Sequence, residues 1–337
     1  MFARLTGAAR TWLSDIRRGL QRWQRPAKVL ETTPRTEPLV PNSQAPAPVV
    51  FRPLERVVLT DGVNRTLFEE FAAHRREEHG DTETGWFLLG HRKEDEAIVL
   101  ATLPAGAHRD SGVAHVRFDS SAQAIASCMV RQRDRTLRPL GIVHTHPGSL
   151  RHPSDGDYQG DSEWVRCLRG QEGVFGIGTV GTLVHEPVAY AHQPRPNVQT
   201  LDEMMLSWYA LRRGDATYRP LPVTLTLGPD LARPLHSVWH EIEEHALELD
   251  RLYRQQIGVT FDALQSAEKP GLSIRIPMVE PKGAIRVVIK DEICRYYVER
   301  DGDIFLADCA EERVDRGVYL LLAEMACDAV PANGRFW

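Results

Sequence analysis

Apolar and polar positions alternate along this chain in short blocks of changing period. From Asn64 to His79 the apolar residues recur every three or four positions, which predicts an amphipathic helix. Short apolar runs follow at Gly85 to Leu89, Ala97 to Leu103 and Ala114 to Phe118, and each predicts a strand. Asp119 or Ser120 caps a helix predicted through about Gln132. Leu140 to His144 reads as a strand that Pro147 and Gly148 stop, and the polar run through Pro153 as a loop. Ser154 then stands at a helix N-cap, three residues before an acid, and opens a helix over roughly Asp155 to Leu168. Val174 to Val180 and Leu183 to Ala191 complete this part as strands. The elements interleave without regular βαβ units. An α/β (α+β) fold with a mixed sheet flanked by helices is therefore expected, rather than a doubly wound parallel sheet.

A second pattern begins near Pro220. Leu221 to Leu227 alternates like a strand, and Ala232 to Gln256 reads as one helix. Leu272 to Ile276, Ala284 to Lys290, Ile293 to Glu299 and Ile304 to Ala307 read as strands, the last two joined by an Asp301-Gly302 hairpin turn. Val314 to Ala326 predicts a closing helix. This is a smaller α+β domain, expected over residues 220–337. No nucleophile, base and orienter set is recognisable in it, so its expected role is to bind a substrate or partner. His236, His240 and His245 share its first helix, but His245 lies off the face of the other two, and all three read as packing or solvent-facing residues.

The first 53 residues follow neither pattern. Phe2, Leu5, Ala9, Trp12, Ile16, Leu20 and Trp23 fall on one helical face, with Arg10, Arg17, Arg18, Arg22 and Arg25 around the rest. The arginines interrupt any signal-peptide core. This basic amphipathic helix, residues 1–30, fits packing on its own protein, docking on a partner or weak contact of residues 1–25 with an anionic membrane surface. Residues 31–53 hold six prolines and read as an extended linker.

Length, charge and cysteines narrow the class. At 337 residues, two domains are the default expectation. A formal net charge of -5 argues against general nucleic-acid binding. Five cysteines without a CxxC pair suit a reducing compartment. No run is apolar enough to span a bilayer, and the cytoplasm is the expected location, with peripheral inner-membrane contact left open.

The chemistry concentrates in His144-Thr-His146, seven residues, and Ser154-Asp-Gly-Asp157. Two imidazoles at alternate strand positions share a side, and a carboxylate from the next helix start can join them on one zinc ion. Three protein ligands leave a coordination position open, as a catalytic zinc requires. A lone His-x-His is usually structural, Asp157 or Ser154 alone would be a helix cap, and Glu83 alone a surface acid. The combination is what points to a metal. His152, inside the loop, reads as a substrate contact or a solvent-facing residue, because a fourth protein ligand would compete with water.

Together with Glu83 in Thr82-Glu-Thr-Gly-Trp-Phe-Leu-Leu-Gly90 and the setting Gly141-Ile-Val-His-Thr-His-Pro, these residues resemble the JAMM/MPN (JAB) metalloprotease motif over about residues 54–188. One position departs: Trp86 stands where family members often carry a small residue. The resemblance implies a JAB/MPN domain over 54–215 and one catalytic zinc held by His144, His146 and Asp157. It also implies Glu83 as general base and Ser154 as a stabiliser of the carbonyl oxygen. The activity it implies is isopeptide or peptide cleavage after the C-terminus of a ubiquitin-like protein. The implied partners are that protein or its conjugates, and E1-like or E2-like proteins of the same pathway. Processing of a sulfur-carrier protein and a metal-free scaffold role are the alternatives within the family.

Overall fold

The computed structural model describes residues 50–329, apart from 78, 79, 81, 106–119, 149, 182–191, 266–268 and 279–282. The basic N-terminal helix, most of the proline-rich linker and the strands expected at 114–118 and 183–191 therefore lie outside the described residues.

The first sheet is built from β1 (Arg56–Thr60), β2 (Gly85–Arg92), β3 (Glu96–Pro104), β4 (Arg138–Thr145), β5 (Glu172–Val180), β6 (His192–Arg195), β7 (Val198–Leu201), β8 (Met204–Arg212), β9 (Arg219–Pro220) and β10 (Val223–Thr226). Its order is β10-β1-β3-β2-β4-β5-β8-β7-β6, with β9 paired to β8. Parallel pairs (β1 with β3 and β10, β4 with β5) sit among antiparallel ones, so the sheet is mixed as expected. It curls until its ends approach: Val223 N–H donates to Pro196 O at 2.8 Å, and Leu221 N–H to Trp208 O at 3.0 Å.

Alternation along β2 explains the two-sided packing. Trp86 and Leu88 enter a core with α1 (Asp61–Arg75), whose Val63, Leu67, Phe68 and Phe71 face them. Phe87 and Leu89 point to the other side, against α2 (Ser120–Arg131) with its Ile125, Ala126 and Met129. Trp86, the residue that departs from the resemblance, is buried and donates its indole N–H to Glu70 at 2.6 Å.

α3 (Asp155–Trp164) follows β4, and two short 3-10 turns end it before the expected Leu168. The single helix expected over 232–256 is instead three pieces, α4 (Arg233–His236), α5 (Trp239–Glu244) and α6 (Ala246–Gln255). Val238 (φ -122°, ψ 22°) and His245 (φ -103°, ψ 12°) leave the helical region and break it. A second, antiparallel sheet runs β11 (Thr260–Leu264), β12 (Gly271–Met278), β13 (Gly283–Lys290), β14 (Ile293–Arg300) and β15 (Asp303–Leu306) in sequential order. Asp301 and Gly302, both at positive φ, form the tight turn expected between its last strands. α7 (Val314–Ala329) packs on β13, β14 and α6.

Val223–Thr226, expected in the second region, pairs with β1 in the first sheet. Asp230 then ties the following chain back to β3, accepting from Thr102 N–H at 3.2 Å and Thr102 Oγ1 at 2.5 Å. One apolar core runs from Phe87 and Ile125 through Ile242 and Leu249 to Ile274, Val287 and Leu321, so α2, α5, α6 and α7 form a layer shared by both sheets.

Candidate metal centre

β4 carries the two histidines to the end of a central strand. Gly141 allows β4 to lie against β5: a Cβ there would stand 1.6 Å from Val174 O. Beyond the paired region, His146 N–H still donates to Gly178 O at 2.8 Å, which fixes the backbone of the second histidine. Pro147 and Gly148, at φ +81°, then turn the chain away.

The loop returns at Ser154, the N-cap of α3 (φ -81°, ψ 170°). Ser154 Oγ accepts from Asp157 N–H at 3.2 Å. Asp157 Oδ2 accepts from Ser154 N–H at 2.6 Å and from Ser154 Oγ at 2.8 Å. This reciprocal capping box aims the carboxylate at the histidines. His144 Nε2 lies 3.0 Å from His146 Nε2 and 3.2 Å from Asp157 Oδ1, and His146 Nε2 lies 3.3 Å from Asp157 Oδ2. Ligands about 2.0–2.1 Å from zinc in a tetrahedron are about 3.3 Å apart, and one ligand atom from each of the three residues lies within 4.8 Å of the others, close enough for one ion to draw them together. The three residues form the group capable of holding a metal among the described residues. His146 Nδ1 faces Leu150 O at 3.0 Å, a carbonyl that can only accept, so Nδ1 carries a proton; Nε2 donates to Asp157 when the ring is protonated and offers its lone pair to a metal when the ring is neutral.

The electrostatics follow from this crowding. Burial alone would raise the Asp157 carboxyl, but hydrogen bonds from His144 and His146 outweigh it and hold the group far below the usual carboxylate range. Burial alone would lower His146, yet Asp157, the Leu150 carbonyl and the charges of Asp157 and Glu83 raise it. A divalent cation would take over the role those protons play, since a carboxylate and two imidazoles are both its ligands and its counter-charge.

Glu83 is buried at 5% exposure. Gly85 pairs with His144, Thr145 N–H donates to Thr84 O at 2.8 Å, and Thr84 N–H donates to Thr145 Oγ1 at 2.9 Å. Continued by two residues, that antiparallel register sets Glu83 opposite His146. The five sequence-derived residues thus come from β4, the start of α3 and the segment leading into β2. Ser154 and Asp157 are half-buried, and Ser154 Oγ is directed at Asp157.

Tyrosines that sequence reasoning did not single out hold this arrangement from behind. Tyr209 on β8 donates to Arg151 O at 2.8 Å and meets His152 Nδ1 at 2.9 Å, anchoring the loop between the ligands. Tyr158 donates to Asp215 O at 2.8 Å, and Tyr218 to Asp161 Oδ2 at 2.7 Å, fastening α3 to the chain after β8. Asp161 lies one helical turn beyond Asp157. Burial pushes its carboxyl well above the usual range, the Tyr218 hydrogen bond opposes that, and the Asp157 charge adds to it. The four-residue spacing of Asp157 and Asp161 is visible in the sequence; the tyrosines carry no local signal. His236 is half-buried, with its ring between Glu70 and Thr102 O, and His240 is exposed; neither belongs to a metal cluster among the described residues.

Among curated proteins no match is found. Among solved structures, the chain is similar to the solution structure of protein DSY2949 from Desulfitobacterium hafniense. The identity is 17% and the TM-score 0.33, over 52% of this chain and 95% of that one. Residues 64–192 match the family model described as prokaryotic homologs of the JAB domain, and Glu83, His144, His146, Ser154 and Asp157 all fall inside that span. The chain therefore carries a prokaryotic JAB domain, of the JAMM/MPN type, with a cluster in it that can coordinate a metal ion.

Proposed function

We propose that this protein is a zinc-dependent metallopeptidase that hydrolyses the amide after the C-terminal tail of a ubiquitin-like protein. The bond is either a lysine isopeptide or a linear extension. The observation that carries the reading is the clustering of His144 Nε2 and His146 Nε2, 3.0 Å apart, each 3.2–3.3 Å from one of the two carboxylate oxygens of Asp157, with Glu83 buried in the segment leading into β2.

His144, His146 and Asp157 hold the zinc. When bound, zinc supplies a Lewis acid that polarises a carbonyl and acidifies water in the site. Glu83 takes the proton from the attacking water and passes it to the leaving amine, a task suited to a carboxylate in a mostly buried setting. Ser154 Oγ donates to the oxygen that becomes negative, for which its hydroxyl rotates away from Asp157 Oδ2. No side chain of the set forms a covalent intermediate in this scheme.

The test is a panel containing a lysine isopeptide conjugate of a ubiquitin-like protein, a linear fusion and a short C-terminal extension of a sulfur-carrier protein. Wild-type zinc protein is expected to cleave the conjugate or the fusion. Glu83→Gln is expected to keep its zinc and lose turnover by about 10²–10⁴-fold. Cleavage of the short extension alone would move the assignment to carrier-protein processing. Failure to hold zinc after reconstitution would favour a scaffold.

A further inference from the structure

The second sheet ends on an open edge. β15 pairs with β14 on one side, and among the described residues no strand pairs with the other side. Ile304, Phe305 and Leu306 are 57%, 56% and 70% exposed. Three adjoining apolar side chains on a free edge invite pairing, and β15 has no lysine or proline to blunt it.

The register determines which backbone groups that edge offers. Across β14 and β15, Glu299 faces Ile304, Val298 faces Phe305 and Tyr297 faces Leu306. Ala307 N–H donates to Tyr296 O at 2.9 Å. Hydrogen-bonded and non-bonded pairs alternate in an antiparallel ladder. Ala307, Phe305 and Asp303 therefore turn their polar groups toward β14, and Ile304 and Leu306 turn theirs outward.

We propose that two copies of this chain associate through antiparallel pairing of their β15 strands about a two-fold axis, joining two five-stranded sheets into one. The axis passes between the two Phe305 residues. Ile304 then exchanges both backbone hydrogen bonds with Leu306 of the second copy, and Leu306 with its Ile304, so all four outward groups are satisfied. Residues directly opposite share a face. Ile304 meets Leu306 on one face, Phe305 meets its own counterpart on the other, and Asp303 opposes Ala307, so no like charges face each other. Centring the axis on Ile304 would set Leu306 against the turn residue Gly302. Centring it on Leu306 would set Ile304 against Asp308, beyond the strand. The apolar, self-matching edge is what selects a second copy over a charged foreign strand, and an isologous contact closes on itself.

The experiment is sedimentation of the full-length chain from about 1 to about 100 µM, where mass action makes a dimer visible as a concentration-dependent species. The expected result is a dimer that Phe305→Lys weakens by about tenfold or more, with an unchanged circular dichroism spectrum. Register is read separately by oxidative cross-linking in a Cys327→Ser background. Phe305→Cys is expected to link two chains, and Ile304→Cys alone is not, because it faces Leu306. A chain that stays monomeric throughout the range overturns the proposal and leaves the edge to a foreign strand. So does a dimer that Phe305→Lys leaves intact, or a cross-link stronger at Ile304→Cys than at Phe305→Cys.

Discussion

Asp161→Asn should make this protein more stable than wild type by an amount that grows as the pH rises. The wild-type carboxyl is buried against Tyr218, and its pKa stands well above the ordinary value of 3.8. Burial is the main cause and the Asp157 charge a lesser one, with the Tyr218 hydrogen bond acting against them. Between the unfolded and the folded pKa, the unfolded chain has released this proton and the native protein has kept it. Native protein then binds more protons, so stability falls as pH rises, by about 1.4 kcal/mol per pH unit. Asparagine keeps an acceptor for the Tyr218 hydroxyl and has no proton to lose. Across the interval between the two pKa values the difference between variant and wild type should therefore widen by about 1.4 kcal/mol for each pH unit. Urea unfolding of chelator-treated protein at several pH values measures it, and shifts common to both proteins cancel. With saturating zinc, which neutralises Asp157, the widening should end at a lower pH. A difference that stays constant across the range would refute the reasoning, because it would mean that Asp161 ionises in the folded protein as it does in the unfolded chain.

Three further outcomes follow from the geometry. Zinc at about a hundredfold excess over its Kd should stabilise the wild type by about 2.7 kcal/mol in thermal unfolding; a His144→Ala/His146→Ala variant should lack that gain, and an equal gain there would place zinc elsewhere. Gly141→Ala drives a Cβ to 1.6 Å from Val174 O, which forces β4 off β5 at a cost of about 3 kcal/mol or more and should weaken zinc binding through His144, readable by denaturation and metal titration. Ending the chain after Arg219 removes β10 and Asp230 and uncovers the core beneath α2, so an insoluble or unfolded fragment is expected; a folded, zinc-loaded fragment with a cooperative transition would contradict the shared core.

Much of the metal cluster was legible because its signals are local. His144 and His146 alternate on one strand, Pro147 and Gly148 end it, and Ser154 and Asp157 carry a helix-cap spacing that depends only on neighbouring residues. The strand positions around Gly85 and the tight turn at Asp301-Gly302 were legible for the same reason. β8 was not. Met204–Arg212 is almost continuously apolar because both its faces are buried, so it has no period to read, yet it supplies Trp208 to one core and Tyr209 to the loop between the ligands. The breaks at Val238 and His245 were likewise hidden inside a helical pattern that tertiary packing overrode.

By itself, then, the sequence determined which side chains could ligate a metal and the local turns that aim them, since both follow from chemistry and spacing within a few residues. Only the tertiary structure decided that the segment carrying Glu83 runs in beside His144, that Asp161 is sealed against Tyr218 and that β10 completes the first sheet instead of opening a second domain. Those relations join segments far apart along the chain. They depend on which strands pair and which faces are covered, and no local periodicity encodes either.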